Sequence, residues 1–275
     1  MKSNFKFFIP ILIFIVAFTP KLHAQDFLQV NEGSLIQALR NAQIPEYQFE
    51  VLRIYPHDKR SFTQGLYFEN GWIYESTGLY GRSAIKKIEL STGKTVKEQP
   101  LSGIYFGEGM TILNNEIYQI TWKESTGFVY DKESFSVKKT FFHEKEGWGL
   151  TTDGQQLIMS NGTATLNFLD PINFQKTRTL IVNIGRLQIP MINELEYIDG
   201  MIYANIWQTS IIVIISPQDG KVQGWLNLSS NLAIKPPGCF GCVANGIAYD
   251  EQEKVIYITG KNWPNLYSIK LIRKT

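Results

Sequence analysis

The sequence predicts an all-β chain folded as a five-bladed β-propeller, and three observations carry that prediction. First, two apolar runs around a polar turn, the signal of a hairpin, occur five times: "QGLYFENGWIYESTG" (64–78), "EGMTILNNEIYQITW" (108–122), "WGLTTDGQQLIMSNG" (148–162), "NELEYIDGMIYANIW" (193–207) and "NGIAYDEQEKVIYITGK" (245–261). Second, their first residues lie 44, 40, 45 and 52 apart, the period of a blade of four short strands. Third, the stretches between them hold further strand-turn-strand patterns. A sandwich or open meander would also be all-β, but near-equal spacing favours radial repetition.

Taken in order, the chain opens "MKSNFKFFIPILIFIVAFTPKLHA", with Lys2 and Lys6 before a mostly apolar run from Phe7 to Phe18 and a small-residue site at Leu22-His23-Ala24. Residues 1–24 therefore read as a cleavable signal peptide; Pro10 and the short apolar run argue against a stable membrane span. Export to a periplasm or the outside is expected, with no membrane contact after cleavage. Residues 25–46 form a lead segment, and 47–275 form one propeller domain, since nothing Pro- or Ser-rich divides them. "YQFEVLRIYP" (47–56) is strand-like and is expected to complete the last blade and close the ring, removing exposed edges.

The inner hairpins turn at Asn70-Gly71, Asn114-Asn115, Asp153-Gly154, Asp199-Gly200 and Asp250 to Glu253. The outer strands come from "AIKKIELSTGKTVKEQPL", "GFVYDKESFSVKKTFF", "LNFLDPINFQKTRTLIV" and "IIVIISPQDGKVQGWLNL".

Charge excludes one class of partner. The whole chain carries +2, but residues 1–24 hold Lys2, Lys6 and Lys21 and no acid; without them 24 basic side chains face 25 acidic ones. A net charge of −1 with no basic run argues against nucleic-acid binding. After processing only His57 and His143 remain, neither in a metal-ligand or triad spacing, so zinc hydrolysis and Ser-His-Asp catalysis lack their parts.

In a propeller the innermost strands line a central channel, so equivalent positions form rings around the axis. The hairpin starts give Gln64, Glu108, Trp148, Asn193 and Asn245; the hairpin ends give Gly78, Trp122, Gly162, Trp207 and Lys261. Repeats built only for packing would place similar residues at equivalent positions. These rings instead combine amides, a carboxylate, an ammonium and three indoles, as a small polar pocket with aromatic walls requires.

The motifs "FTQGL", "STGLYGRSAI", "FGEGMT", "ITWKESTGFVYD", "EGWGLT", "MSNGTATLNFLDP", "NELEYIDGMIYANIW", "NGIAYD" and "TGKNWPNLYSI" closely resemble the glutaminyl-peptide cyclotransferases of the plant and bacterial type, from about Tyr47 to Leu271. The resemblance implies a five-bladed propeller that converts the N-terminal glutamine of a peptide into pyroglutamate and releases ammonia. It places the active-site glutamate of a G-E-G motif on Glu108, with Phe62 and Gln64 from F-T-Q-G, pocket tryptophans at Trp122, Trp148 and Trp207, an asparagine at Asn193 and a lysine at Lys261. "PPGCFGCVANGIAYD" departs from that pattern by carrying a Cys-X-X-Cys.

The chemistry is consistent with that assignment. Attack of the α-amine on its own side-chain amide is intramolecular and needs the glutamine held in a curled, near-attack conformer. The leaving nitrogen must also be protonated, and one carboxyl group, Glu108, can take the proton from the amine and hand it over. Lys261, Gln64 and Asn193 are candidate donors to the developing oxyanion, and the tryptophans exclude water. No cofactor is required, although the channel leaves room for a structural metal ion. Expected partners are peptides or proteins with N-terminal Gln, acted on by a monomer.

Two rival readings stand beside this one. A calcium-dependent propeller lactonase could use Glu108, Asn193, Glu194 and Asn245 as ligands, but Lys261 would repel the ion. A non-catalytic peptide-binding propeller would bind without turnover. In an exported chain with no thioredoxin-like βαβ pattern, Cys239 and Cys242 read as a short-loop disulfide, with free thiols and a metal or redox role as alternatives.

Overall fold

The computed structural model describes residues 31–230, 232 and 241–273; the predicted leader and Cys239 lie outside them. The first element, helix α1 (Glu32–Asn41), falls in the lead segment, where sequence reading assigned no structure. Asn31 caps it by accepting a hydrogen bond from Gly33 N, and Leu35 and Leu39, one turn apart, are buried together in the core.

Strand β1 (Glu46–Pro56) follows, and then the blades in chain order. Blade I is β2 (Thr63–Glu69), β3 (Trp72–Thr77), β4 (Ala84–Glu89) and β5 (Lys94–Pro100). Blade II is β6 (Gly107–Leu113), β7 (Glu116–Thr121), β8 (Thr126–Asp131) and β9 (Val137–Phe142). Blade III is β10 (Leu150–Thr152), β11 (Leu157–Ser160), β12 (Thr165–Leu169) and β13 (Lys176–Ile181). A small hairpin, β14 (Asn183–Ile184) and β15 (Leu187–Gln188), leads into blade IV: β16 (Ile192–Ile198), β17 (Met201–Ile206), β18 (Ile211–Ile215) and β19 (Val222–Asn227).

Blade V takes β20 (Ala244–Asp250), β21 (Val255–Gly260) and β22 (Asn265–Arg273) from the end of the chain and β1 from its beginning. β1 runs antiparallel to β22, from Tyr47 opposite Arg273 to Pro56 opposite Asn265. The predicted closure is thus present. β1 also touches β19 in parallel at Glu46 and Tyr47, which ties blade IV to blade V.

Turn chemistry fixes the hairpins. Asn70 and Gly71 (φ 50° and 81°), Asn114 and Asn115 (51° and 65°), and Asp199 and Gly200 (47° and 84°) take left-handed backbone, as two-residue turns that match strand twist demand. Burial grades from axis to rim: every residue of β6 is buried, while in β9 and β13 only Phe141 and Leu180 are. Blade faces pack on one another through side chains such as Ile117, Ile120 and Val129, each contributing about 1.5–3 kcal/mol by leaving water.

Two features of the innermost strands set up the site. The ladder is irregular in β2 between Thr63 and Gly65, in β6 between Gly107 and Met110, in β16 between Ile192 and Leu195, and in β20 between Ala244 and Ile247. Each bulge contains a first-ring residue: Gln64, Glu108, Asn193 or Asn245. A bulge carries one residue more than its partner strand and so re-aims a side chain.

The second feature is a glycine directly after the ring residue in blades I, II and III. A Cβ on Gly65 would lie 2.4 Å from Met110 N, on Gly109 2.3 Å from Leu150 N, and on Gly149 2.0 Å from Asn193 O, so neighbouring inner strands meet backbone to backbone. Gly109 N even donates to Trp148 O across the blade boundary, at 2.7 Å. Blade IV has Glu194 at the corresponding position. Its carboxyl, pushed well above the usual range by burial and by Glu196, accepts from Leu66 N of blade I (3.3 Å) and Ile247 N of blade V (2.8 Å).

Candidate active site

At the end of the channel where the bulges lie, a pocket of about 300 Å³ is lined by Phe62, Gln64, Leu79, Phe106, Glu108, Trp122, Trp148, Asn193, Trp207, Gly241 and Lys261. All eight residues expected to catalyse or bind substrate are therefore brought together from five blades. Asn245, the fifth member of the first ring, lies outside this lining. It is buried, and its Nδ2 donates to Thr63 O (2.9 Å) and Gln64 Oε1 (3.3 Å).

That bond orients an amide. With its oxygen held by Asn245, Gln64 must turn its NH2 toward Glu108, and Nε2 donates to Glu108 Oε1 at 2.9 Å. Gln64, expected as a donor to substrate, thus directs one N–H at the carboxylate and aligns it. Among the described residues Glu108 Oε2 has no hydrogen-bond partner, and neither has the buried Asn193 Oδ1. The free Glu108 oxygen, in a pocket otherwise walled by aromatic rings, is open to a ligand, whereas Asn193 Oδ1 is itself closed off from solvent.

Electrostatics tune the two charged groups toward each other. Burial pushes the Glu108 carboxyl well above its ordinary range; the Lys261 charge opposes this, while Glu146 and Glu124 add to it. Burial also lowers the Lys261 ammonium to about 8, against the pull of Glu108. Both groups are 5% exposed. A carboxyl and an amine shifted toward neutrality from opposite sides can exchange protons where cells operate. Lys261 Nζ also lies 4.8 Å from the centroid of the Phe62 ring.

The walls interlock. Phe106 meets Phe62 at 6.2 Å and Trp122 at 5.5 Å edge to face, and Trp148 meets Trp207 at 5.5 Å in the same manner. The ring glycines make room for them: a Cβ on Gly78 would lie 2.3 Å from the Phe106 ring, and one on Gly162 2.6 Å from the Trp148 ring. Glu146 accepts from Trp122 Nε1 (2.8 Å) and Trp148 Nε1 (3.1 Å), fixing both indoles with one carboxylate.

A buried pair supports the floor. His57 Nδ1 donates to Trp263 O (2.7 Å) and Nε2 to Glu75 (3.0 Å). Glu75 also accepts from Ser61 Oγ (2.9 Å) and Thr63 Oγ1 (2.6 Å), on either side of Phe62, while Asn262 N donates to Ser61 O (2.8 Å). One ion pair thus staples the segment carrying Phe62 and Gln64 to the one carrying Lys261.

Sequence reading missed Phe106, Leu79, Gly241 and Glu146. For two of them a signal was present: Phe106 and Glu146 stand two residues before Glu108 and Trp148, just as Phe62 stands two before Gln64, so a third ring runs at that offset. Leu79 has left-handed backbone (φ 86°), which no local sequence pattern announces.

Residues 25–271 match the family model described as glutamine cyclotransferase. The chain is 44% identical over 228 residues to a glutaminyl-peptide cyclotransferase of Arabidopsis thaliana, covering 82% of this chain and 71% of that relative. It also matches the crystal structure of Myxococcus xanthus glutaminyl cyclase at a TM-score of 0.78 and 31% identity, covering 84% of this chain and 100% of that one. With the pocket residues assembled as the motifs require and a family model spanning almost the whole sequence, the chain belongs to the glutamine cyclotransferase family.

Proposed function

We propose that the protein is a glutaminyl-peptide cyclotransferase that closes the N-terminal glutamine of a peptide into pyroglutamate in the pocket around Glu108. The observation that carries this reading is a buried, raised-pKa carboxyl with one free oxygen, next to the unpartnered Asn193 Oδ1, inside an aromatic pocket of about 300 Å³. That volume is at the small end for ligand sites and suits one side chain with its peptide group.

The substrate's α-amine attacks the side-chain amide carbon, so one N–C bond forms and the carbonyl becomes an oxyanion. Glu108 takes a proton from the attacking nitrogen and gives it to the amide nitrogen; the C–N bond then breaks and ammonia leaves, with protons and atoms in balance. Lys261 donates to the oxyanion. The Asn193 amide, on the pocket wall, hydrogen-bonds the substrate, and the indoles hold the glutamine curled in a water-poor space. The lactonase reading is disfavoured because the pocket offers one carboxylate, Glu108, and sets an ammonium beside it.

The test is ammonia release from a Gln-initiated dipeptide by the wild type and by Glu108→Gln. The wild type is expected to turn over with chelator present, since no cofactor enters the scheme. The variant should lose at least ~10²-fold in kcat with KM within about twofold. Near-wild-type kcat in Glu108→Gln would remove Glu108 from the proton transfer.

Three further readings rest on sequence. The leader supports export with residues 1–24 removed; N-terminal mapping finding them retained would refute it. The Cys-X-X-Cys spacing supports a Cys239–Cys242 disulfide, to be tested by thiol titration of the denatured, unreduced protein, where two free thiols would overturn it. A monomer is the expected state, and light scattering would reveal otherwise.

A further inference from the structure

A second depression of about 410 Å³ shares Trp148 and Trp207 with the glutamine pocket and continues over Lys145, Glu146, Asn161, Gly162, Thr163 and Met191. Three observations distinguish it from ordinary surface relief. The two shared indoles form a wall common to both spaces, so a chain leaving the pocket across them enters the groove. Met191 holds left-handed backbone (φ 65°), pinned by Met191 N to Gly162 O and Trp207 N to Met191 O, both 2.9 Å, and such strain in an unbranched apolar residue has to be maintained by its surroundings.

The third observation concerns Asn161, which is 9% exposed. Its Oδ1 accepts from Thr163 N (3.2 Å) and Thr163 Oγ1 (2.6 Å), which fixes which end of the amide is oxygen. The NH2 must then point the other way. Among the described residues it donates to nothing, and the side chain lines the groove. A donor whose orientation is set by Thr163, with no protein acceptor and an opening onto the groove, can give its hydrogen bond to a ligand carbonyl in place of water.

We propose that this groove is the subsite for the second residue of the peptide substrate, with Asn161 Nδ2 donating to a backbone carbonyl beyond the glutamine and the Trp207 and Met191 faces receiving the second side chain. The reading rests on the cyclotransferase assignment above and extends it from the reacting residue to the rest of the peptide. The glutamine pocket leads by way of Trp148 and Trp207 onto a wall that is mostly apolar carbon with one directed N–H. An extended peptide offers the complement, a carbonyl in every residue and a side chain to lay on the indole and thioether. An apolar second residue should therefore bind better than glycine, through KM.

The test compares glutaminamide, which lacks a second residue, with the amides of Gln-Gly and Gln-Leu-Gly, on wild type and Asn161→Asp. Aspartate keeps the oxygen that caps Thr163 and exchanges only the donor for an acceptor. The variant is expected to raise KM for Gln-Leu-Gly amide about five- to tenfold, the range of one lost hydrogen bond, and to leave kcat/KM for glutaminamide unchanged. The wild type should show a lower KM for Gln-Leu-Gly amide than for Gln-Gly amide. Equal losses on glutaminamide and the longer substrate, or no loss on either, would overturn the subsite while leaving the cyclotransferase reading intact. A wild type inactive on all three would refute that reading and the subsite with it.

Discussion

At His57 and Glu75 two buried side chains decide where several pocket residues stand. Burial opposes charging in both. It is outweighed at His57 by the Glu75 carboxylate, which raises the imidazole above its ordinary value, and at Glu75 by the imidazolium, which lowers the carboxyl. A raised folded-state pKa means stabilisation complete below the unfolded value of about 6.5 and lost as pH rises through the folded value. The depressed Glu75 sets the lower edge, since its share is lost as pH falls through its own folded pKa. Comparing wild type with His57→Gln by thermal melting should thus show the largest difference in mildly acidic solution, roughly 3 kcal/mol for a broken buried pair, shrinking toward alkaline pH. A difference that does not vary with pH would show that the imidazole is neutral. This staple was not readable in the sequence: His57 lies in no motif, and its partners Glu75 and Trp263 come from distant stretches. The convergence of the ring residues on one pocket was readable because equivalent positions of a repeat must meet at one axis, whatever the residue type.

Among the elements, the inner strands carry the lesson that hairpin turns are local while bulges are not. Asn-Gly and Asp-Gly pairs state the turn in two letters. A bulge depends on how many residues the partner strand supplies, so Glu108 could be placed at the mouth by period but its aim could not. Helix α1 did carry a pattern, with Leu35 and Leu39 one turn apart behind an Asn cap, but ten residues give little weight beside a 200-residue repeat. The glycine that follows the ring residue in blades I to III makes the strongest prediction at this scale. In Gly149→Ala the new methyl would lie 2.0 Å from Asn193 O, a backbone atom that cannot step aside without moving β16. The expected cost is ~3 kcal/mol, or ~6–12 °C in Tm for a domain of this size. Because the strand that must shift carries Asn193, kcat should fall with it. Gly71→Ala, whose Cβ would meet nothing within 4 Å, is the control; its φ of 81° should cost only ~1–2 kcal/mol and leave kcat unchanged.

For the whole molecule, the arrangement of β1 against β22 makes a ring from an open chain. Deleting residues 46–56 would strip nine paired positions from β22 and expose its edge together with the core around Phe49. The variant is expected to lose the cooperative melting transition of the full chain and to aggregate; a sharp transition within about 5 °C of wild type would show that the blades do not need the closure. The same pairing sets an order in time. A ribosome makes β1 second among the described elements and β22 last, so the outer strand of blade V waits for its antiparallel partner while more than 200 residues are added. Blades I to IV are each contiguous in sequence and can form as they appear, but their ring stays open until the final strand arrives. If the leader directs export, a chain interrupted near its end would reach the far side of the membrane as a row of blades with a free edge at each end. Any protease that reads such edges could then tell finished copies from truncated ones before the pocket had processed a single peptide.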